Sequence, residues 1–214
     1  QQLMNSLVID MTHGGVKIAV SLAKKDETVY AYDIYNTLKS VDKKMLAVYN
    51  VKIIDLDYLK NLNGNLRVIY PVHLPLTKRD IEKYNPSLNY TFLTHHEIIK
   101  ELLKNWGNDI PKIEVTGVKG KTSCVFMLKE ILIDKNPLIL SSLGALLYEN
   151  GVKKTLKQNI SITPANIKET IDLAYKIANP VCEIAAGKCD SQNLKKYGCA
   201  IFESSLGASG IGDV

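Results

Sequence analysis

Long apolar runs are missing from this sequence, and that absence excludes the most. No stretch of about 18 consecutive uncharged apolar residues occurs, the length a helix needs to cross a bilayer, so no membrane span is expected. The segment Gln1–Met11 carries no basic leader ahead of its apolar residues, and no export signal is read there. Cysteine is sparse: Cys124, Cys182, Cys189 and Cys199 form no C-x-x-C pair. That pattern excludes the common zinc signatures and is expected of reduced thiols in a cytoplasmic protein. Aromatic platforms are thin as well, with one Trp and three Phe beside eleven Tyr. No arginine-rich run exists, and the basic clusters, such as Lys43-Lys44 and Lys153-Lys154, are short. Binding to nucleic acid is therefore not expected.

What the chain does contain is ordinary globular material. It has 214 residues, room for one large domain or two small ones. With 46% hydrophobic and 23% charged residues it can bury a core, and its net charge of +5 is spread along the chain.

The order of elements points to an α/β fold. Leu7–Asp10 is a short apolar strand closed by an acid, Thr12-His13-Gly14-Gly15 a turn, and Val16–Lys25 a helix with Ile18, Ala19, Leu22 and Ala23 on one face. Thr28–Tyr35 is the next strand, with Asp33 near its end. Strand, glycine turn, helix and strand with a terminal acid make a Rossmann-like βαβ unit. Gly14-Gly15 is not G-x-G-x-x-G, so the turn is either a ligand cradle or simply a tight strand-to-helix connection. Val51–Ile54, Leu66–Val72 and Tyr90–Thr94 are further strands, and residues 71–90, punctuated by prolines, read as loop and turn. Thr94 and Glu97 form a capping-box pattern opening a helix over His95–Trp106, with His95 and His96 simply its first residues. Gly107-Asn108-Asp109 ends that helix, and the domain boundary is expected near residue 108.

Residues 109–214 repeat the alternation. Lys112–Thr116 is a strand, Lys121–Ile133 a helix, Leu138–Ser142 and Ala145–Tyr148 strands, and Glu149-Asn150-Gly151 a hairpin turn. Ile160–Ile162 is short and apolar, Pro164 opens a helix reaching about Ile177, and Val181–Ala185 and Cys199–Phe202 are buried strands. The tail Gly207–Val214 is read as neither helix nor strand.

Chemistry concentrates in Val115-Thr116-Gly117-Val118-Lys119-Gly120-Lys121-Thr122-Ser123, between a strand and a helix. Glycines let the backbone curl against a phosphate, the helix N-terminus and its amides face the anion, and Lys121 supplies a point charge. The hydroxyl of Thr122 is suited to a magnesium ion shared with the terminal phosphates. Val115 stands where G-x-x-x-x-G-K-[ST] wants glycine, so the loop is the shorter variant G-x-x-G-K-[ST].

That variant resembles the ATP loop of the Mur ligase superfamily. Ile162-Thr163-Pro164 is similar to the family's Thr/Ser-Pro segment, and Phe202-Glu203-Ser204-Ser205 to its strand-terminal glutamate. The resemblance implies a central ATPase domain with a mostly parallel sheet, in which Gly117–Ser123 bind ATP and Thr122, Thr163 and Glu203 hold Mg2+. Val8–Gly15, Asp33–Thr37, Pro71-Val72-His73-Leu74-Pro75 and Ser205-Leu206-Gly207 resemble one subgroup, the coenzyme F430 synthases of methanogens. By that resemblance a propionate of a nickel-containing reduced tetrapyrrole takes the γ-phosphate of ATP, and a ring carbon then closes a carbocycle and releases phosphate. Lys121 and Glu203 would carry the catalysis. The N-terminal domain would hold the tetrapyrrole, with His13, Gly14, Gly15, Asp33 and His73 as candidate contacts.

Family members continue well beyond the glutamate motif, with a histidine, usually a modified lysine and a further domain. Read against that pattern, the chain is expected to end within the ATPase domain, to bind nucleotide weakly and not to turn over. Two other readings stay open: an amide-forming ligase such as a pseudomurein peptide ligase, and a non-catalytic nucleotide-binding protein.

Overall fold

A computed structural model describes residues 4–103, 110–178 and 198–204. The chain divides into two compact units, Gln1–Ile98 and Ile99–Val214. The division falls within a helix, and residue 108, the expected boundary, lies outside the described residues.

In the first unit β1 (Asn5–Ile9), β2 (Thr28–Tyr32), β3 (Lys52–Ile53), β4 (Asn65–Tyr70) and β5 (Asn89–Thr94) form one sheet in the order β3-β2-β1-β4-β5. Every pairing is parallel. This is the doubly wound arrangement, whose strand order reverses beside β1 and opens a crevice at the carboxyl ends of the strands. Parallel strands are covered on both faces, which is why Leu7-Val8-Ile9 reads as an unbroken apolar run and is fully buried. One face packs Leu7, Ile9, Leu59, Leu66, Val68 and Ile81 into a common core. Helix α1 (Val16–Ala23) buries Ile18, Ala19 and Leu22. At the amino ends of the strands, buried Arg67 donates to Glu27 at 2.7 Å and to the Ser6 hydroxyl at 3.2 Å, and Ser6 donates to Glu27 at 3.0 Å. That bonded charge network ties β1 and β4 together at the end opposite the crevice.

Two helices depart from the sequence reading. Helix α2 (Ser40–Val48) buries only Leu46 fully, so its periodic signal is weak. The segment read as loop and turn over 71–90 contains α3 (Lys78–Glu82). A capping box between Thr77 and Asp80 starts that helix and Ile81 anchors it, although five residues are too few to register as a period. The second strand ends at Tyr32, so Asp33 lies beyond it. Helix α4 (His95–Leu102) opens on the expected box: Thr94 Oγ1 accepts from the Glu97 amide at 3.1 Å, and the Glu97 carboxylate accepts from the Thr94 amide at 2.6 Å.

The second unit has β6 (Lys112–Val115), α5 (Lys121–Ile131), β7 (Leu138–Ser141), β8 (Gly144–Glu149), β9 (Val152–Lys157), α6 (Pro164–Ala178) and β10 (Ala200–Glu203). Its sheet runs β6-β10-β7-β8-β9. The first three strands are parallel, and β8 and β9 add antiparallel. Asn150 and Gly151 make the hairpin turn with φ of 51° and 76°, the left-handed pair that matches the twist of two strands. Residues 160–162 are irregular and lead into α6. The expected strand Val181–Ala185, the tail from Gly207 and the Ser205-Leu206-Gly207 motif lie outside the described residues. Among the described residues no helix is long and apolar enough to cross a membrane.

Candidate functional site

The loop from β6 to α5 follows from its two glycines. Gly117 has φ 144° and Gly120 φ 77°, and Gly120 leads directly into α5. A Cβ at Gly120 would meet nothing within 4 Å, so glycine is present for its backbone angle rather than for space. No side chain caps α5, which leaves its first amides directed at whatever sits over the loop. Val118, Lys119, Gly120 and Ser123 are exposed, while Lys121 and Thr122 are half-buried. Lys121 Nζ donates back to the Gly117 carbonyl at 2.8 Å, which holds the ammonium across the mouth of the loop.

Beside that loop, at the end of β10, Glu203 is buried at 4% exposure. The parallel register sets it opposite Val115, so strand pairing brings the carboxylate to the loop. Its Oε2 accepts from the Thr122 hydroxyl at 2.9 Å and from the Ser142 amide at 3.0 Å, and the Thr122 and Ser142 hydroxyls lie 2.9 Å apart. Three segments thus converge on one carboxylate. The structure brings Thr122 and Glu203 together and adds Ser142, which the sequence marked only as the end of a strand. The serine pair Ser141-Ser142 directly after the apolar run Leu138–Leu140 was the available signal.

These are hard oxygen donors, the set that suits Mg2+ rather than a softer metal. Among the described residues no cluster of three His, Cys, Asp or Glu could hold a metal by itself. Magnesium commonly binds through one carboxylate with phosphate oxygens and waters completing its shell, so the donor set fits an ion delivered with a nucleotide. The Thr163 hydroxyl, just ahead of α6, is buried and makes no hydrogen bond among the described residues. A buried hydroxyl left unpaired fits a role toward a ligand.

The glycine turn of the first unit is built differently. Asp10 has φ 73°, outside the usual range for a side-chain-bearing residue, and is buried at 1% exposure. Its Oδ1 accepts from the amides of Thr12 at 2.8 Å and His13 at 3.3 Å, and its Oδ2 accepts from His13 Nδ1 at 2.6 Å. Gly15 presses on the same residue, since a Cβ there would lie 2.0 Å from the Asp10 carbonyl oxygen. In this turn the amides of Thr12 and His13 already serve a carboxylate of the chain. Asp33 is likewise engaged, accepting from the Leu38 amide at 2.8 Å, and His73 is exposed in the turn after β4. His13, Asp33 and His73 all follow carboxyl ends of strands in the one parallel sheet, β1, β2 and β4. His95 is more than a first helical residue: buried, it donates from Nε2 to the Ile9 carbonyl at 2.9 Å. Burial pushes its imidazole down to about 4, although the Ile9 bond and Asp10 pull the other way.

Fold and site together define a mixed α/β protein with a Rossmann-like unit and a unit whose first strand enters its helix through a glycine loop. No family model matches the chain. It is 30% identical over 221 residues to the coenzyme F430 synthetase of Methanosarcina acetivorans, covering 97% of this chain and 41% of that protein. The coenzyme F430 synthetase of Methanocaldococcus jannaschii is 27% identical over 211 residues, covering 94% of this chain and 41% of the relative. A murein peptide ligase from Psychrobacter arcticus superposes with a TM-score of 0.41 at 18% identity, over 95% of this chain and 39% of that one. The chain is similar to the coenzyme F430 synthetases over nearly its whole length, and it spans 41% of the length of these curated relatives.

Proposed function

We propose that the protein is an ATP-dependent ligase that activates a carboxylate as an acyl phosphate, and that its substrate is the nickel tetrapyrrole of coenzyme F430 formation. The observation that carries this reading is the Thr122–Glu203–Ser142 cluster beside an uncapped helix start and Lys121.

In this scheme the amides of Gly117–Ser123 and the ammonium of Lys121 receive the β- and γ-phosphates, and their fixed positions stabilise charge that grows during phosphoryl transfer. Thr122, Glu203 and Thr163 would hold Mg2+, which neutralises phosphate charge so that an anionic carboxylate can approach. The substrate carboxylate attacks the γ-phosphorus and ADP leaves. A ring carbon of the same substrate then loses its proton and attacks the acyl carbon, forming the carbon–carbon bond and expelling phosphate. The first unit would bind the macrocycle, with His13, Asp33 and His73 on its carboxyl-end rim and Gly14 and Gly15 shaping the turn.

The test is phosphate release by the full-length protein with ATP, Mg2+ and the nickel seco-tetrapyrrole. Lys121→Ala should lower that rate by about 100- to 1,000-fold, the usual effect of losing a preorganised charge. Stimulation by an amino acid and a peptidyl nucleotide instead would make the protein an amide-forming ligase. Nucleotide binding that no substrate ever converts to hydrolysis would make it a nucleotide-binding protein without catalysis.

A further inference from the structure

The Asp10–His13 pair is more elaborate than a turn requires. A strand-to-helix connection needs its amides satisfied, and Asp10 does that with Oδ1 alone. The second carboxylate oxygen takes Nδ1 of His13 at 2.6 Å, from a position buried at 1% exposure. The imidazole itself is 61% exposed, so Nδ1 is committed inward to Asp10 while the ring stands at the surface. An imidazole whose Nδ1–H is given to a carboxylate keeps its Nε2 lone pair available in a fixed direction, and this is how metal-ligating histidines are oriented.

The surroundings suit a flat ligand. Tyr35 is 43% exposed, and its ring meets His13 edge-on at 89° with centroids 5.9 Å apart. An imidazole bound axially to a metal stands perpendicular to the macrocycle that carries the metal. A macrocycle held in that way is free to lie parallel to the Tyr35 face and stack on it. The same loops are laced together by the Thr12 and Thr37 hydroxyls at 2.5 Å, so His13 and Tyr35 keep a defined spacing. His13 also follows β1, where the strand order of the sheet reverses.

We infer that His13 Nε2 is an axial ligand to the metal centre of the tetrapyrrole substrate, with Asp10 as the residue that positions it and Tyr35 as a stacking surface. The inference rests on the reading that the substrate is a nickel tetrapyrrole and goes beyond it by naming the atom that meets the nickel. Nickel in a reduced macrocycle with no further ligand is four-coordinate and planar, and an axial nitrogen converts it to a five-coordinate centre with a different absorption edge.

The experiment titrates the protein with the nickel seco-tetrapyrrole and with its metal-free counterpart, following affinity and the nickel X-ray absorption edge. Wild type should shift the edge to the five-coordinate form. His13→Ala should bind the nickel compound about tenfold more weakly, leave the edge planar and regain the shift on adding imidazole. Affinity for the metal-free macrocycle should not change. Asp10→Asn should weaken nickel-macrocycle binding by about tenfold, the usual cost of losing an orienting partner. An unchanged edge shift in His13→Ala, or equal losses for both macrocycles, would overturn the ligand assignment while the substrate reading stands. An unaltered Asp10→Asn would remove Asp10 from it. Failure of wild type to bind either macrocycle would sink both readings.

Discussion

Two turns of this molecule start from the same plan and finish opposite. Each leaves the carboxyl end of a parallel strand, passes two glycines and enters a helix: Asp10–Gly15 after β1, and Thr116–Gly120 after β6. In the first, the chain supplies its own anion, and the Asp10 carboxylate takes up the amides of Thr12 and His13. In the second, no side chain caps the helix, and the carboxylate that approaches comes from β10 and binds the hydroxyl of Thr122 rather than the loop amides. A glycine turn is therefore not a phosphate site by virtue of its glycines. What decides is whether the donors at the helix start are already taken. The first turn is closed on itself and presents an imidazole, while the second leaves its helix start without a side-chain cap beside Lys121.

Acid should separate the two units most strongly. All four histidines of the chain, at 13, 73, 95 and 96, fall in the first unit. Burial holds His95 neutral in the folded state down to about 4, whereas in the unfolded chain it takes up a proton near 6.5. Between those values the unfolded state binds more protons, so stability present above pH 6.5 is lost as the pH falls toward 4. His96, lowered by burial as well, acts in the same sense. The shift corresponds to roughly 3 kcal/mol at full effect. Amide hydrogen exchange at pH 7.5 and pH 4.5, read separately over residues 4–98 and 110–178, should show protection falling in the first segment. Equal loss in both would break the distinction.

Glycine substitutions sharpen it further. Gly15→Ala forces a methyl group onto the Asp10 backbone, contact that only a shift of the turn relieves, and should cost about 2 kcal/mol in a thermal or urea melt. Gly120→Ala meets open space and is penalised only for its left-handed angle, so it should cost about 1 kcal/mol. A larger loss at Gly120 than at Gly15 would contradict the closed and open descriptions.

Much of this was readable in advance. Parallel strands are apolar on both faces, so Leu7–Ile9, Leu138–Leu140 and Ala200–Phe202 announce themselves as short unbroken runs. The Thr94–Glu97 box and the Asn150-Gly151 turn are local, and local hydrogen bonds leave local spellings. Helix α2 was not legible because only Leu46 is buried while Val41, Met45 and Val48 are exposed, so no apolar face shows as a period, and α3 because a single turn has no period. Asp10 was visible only as an acid closing a strand. Its role depends on a backbone with φ 73° and on Gly15 packing against it, and neither is spelled by the residue itself.

The sequence by itself determined the alternation of strands and helices, the phosphate-type spelling at Gly117–Ser123 and the kinship that follows from it. Those are properties of neighbouring residues, set by side-chain periodicity and by where glycine permits a turn. Tertiary structure alone decided which glycine turn is open and which is closed, and that Ser142 joins Thr122 on Glu203. Those partners stand 20 and 81 residues from Thr122, and only sheet register brings them within hydrogen-bonding distance. A hydrogen bond acts over about 3 Å of space whatever the separation along the chain, so no reading of adjacent letters could supply it.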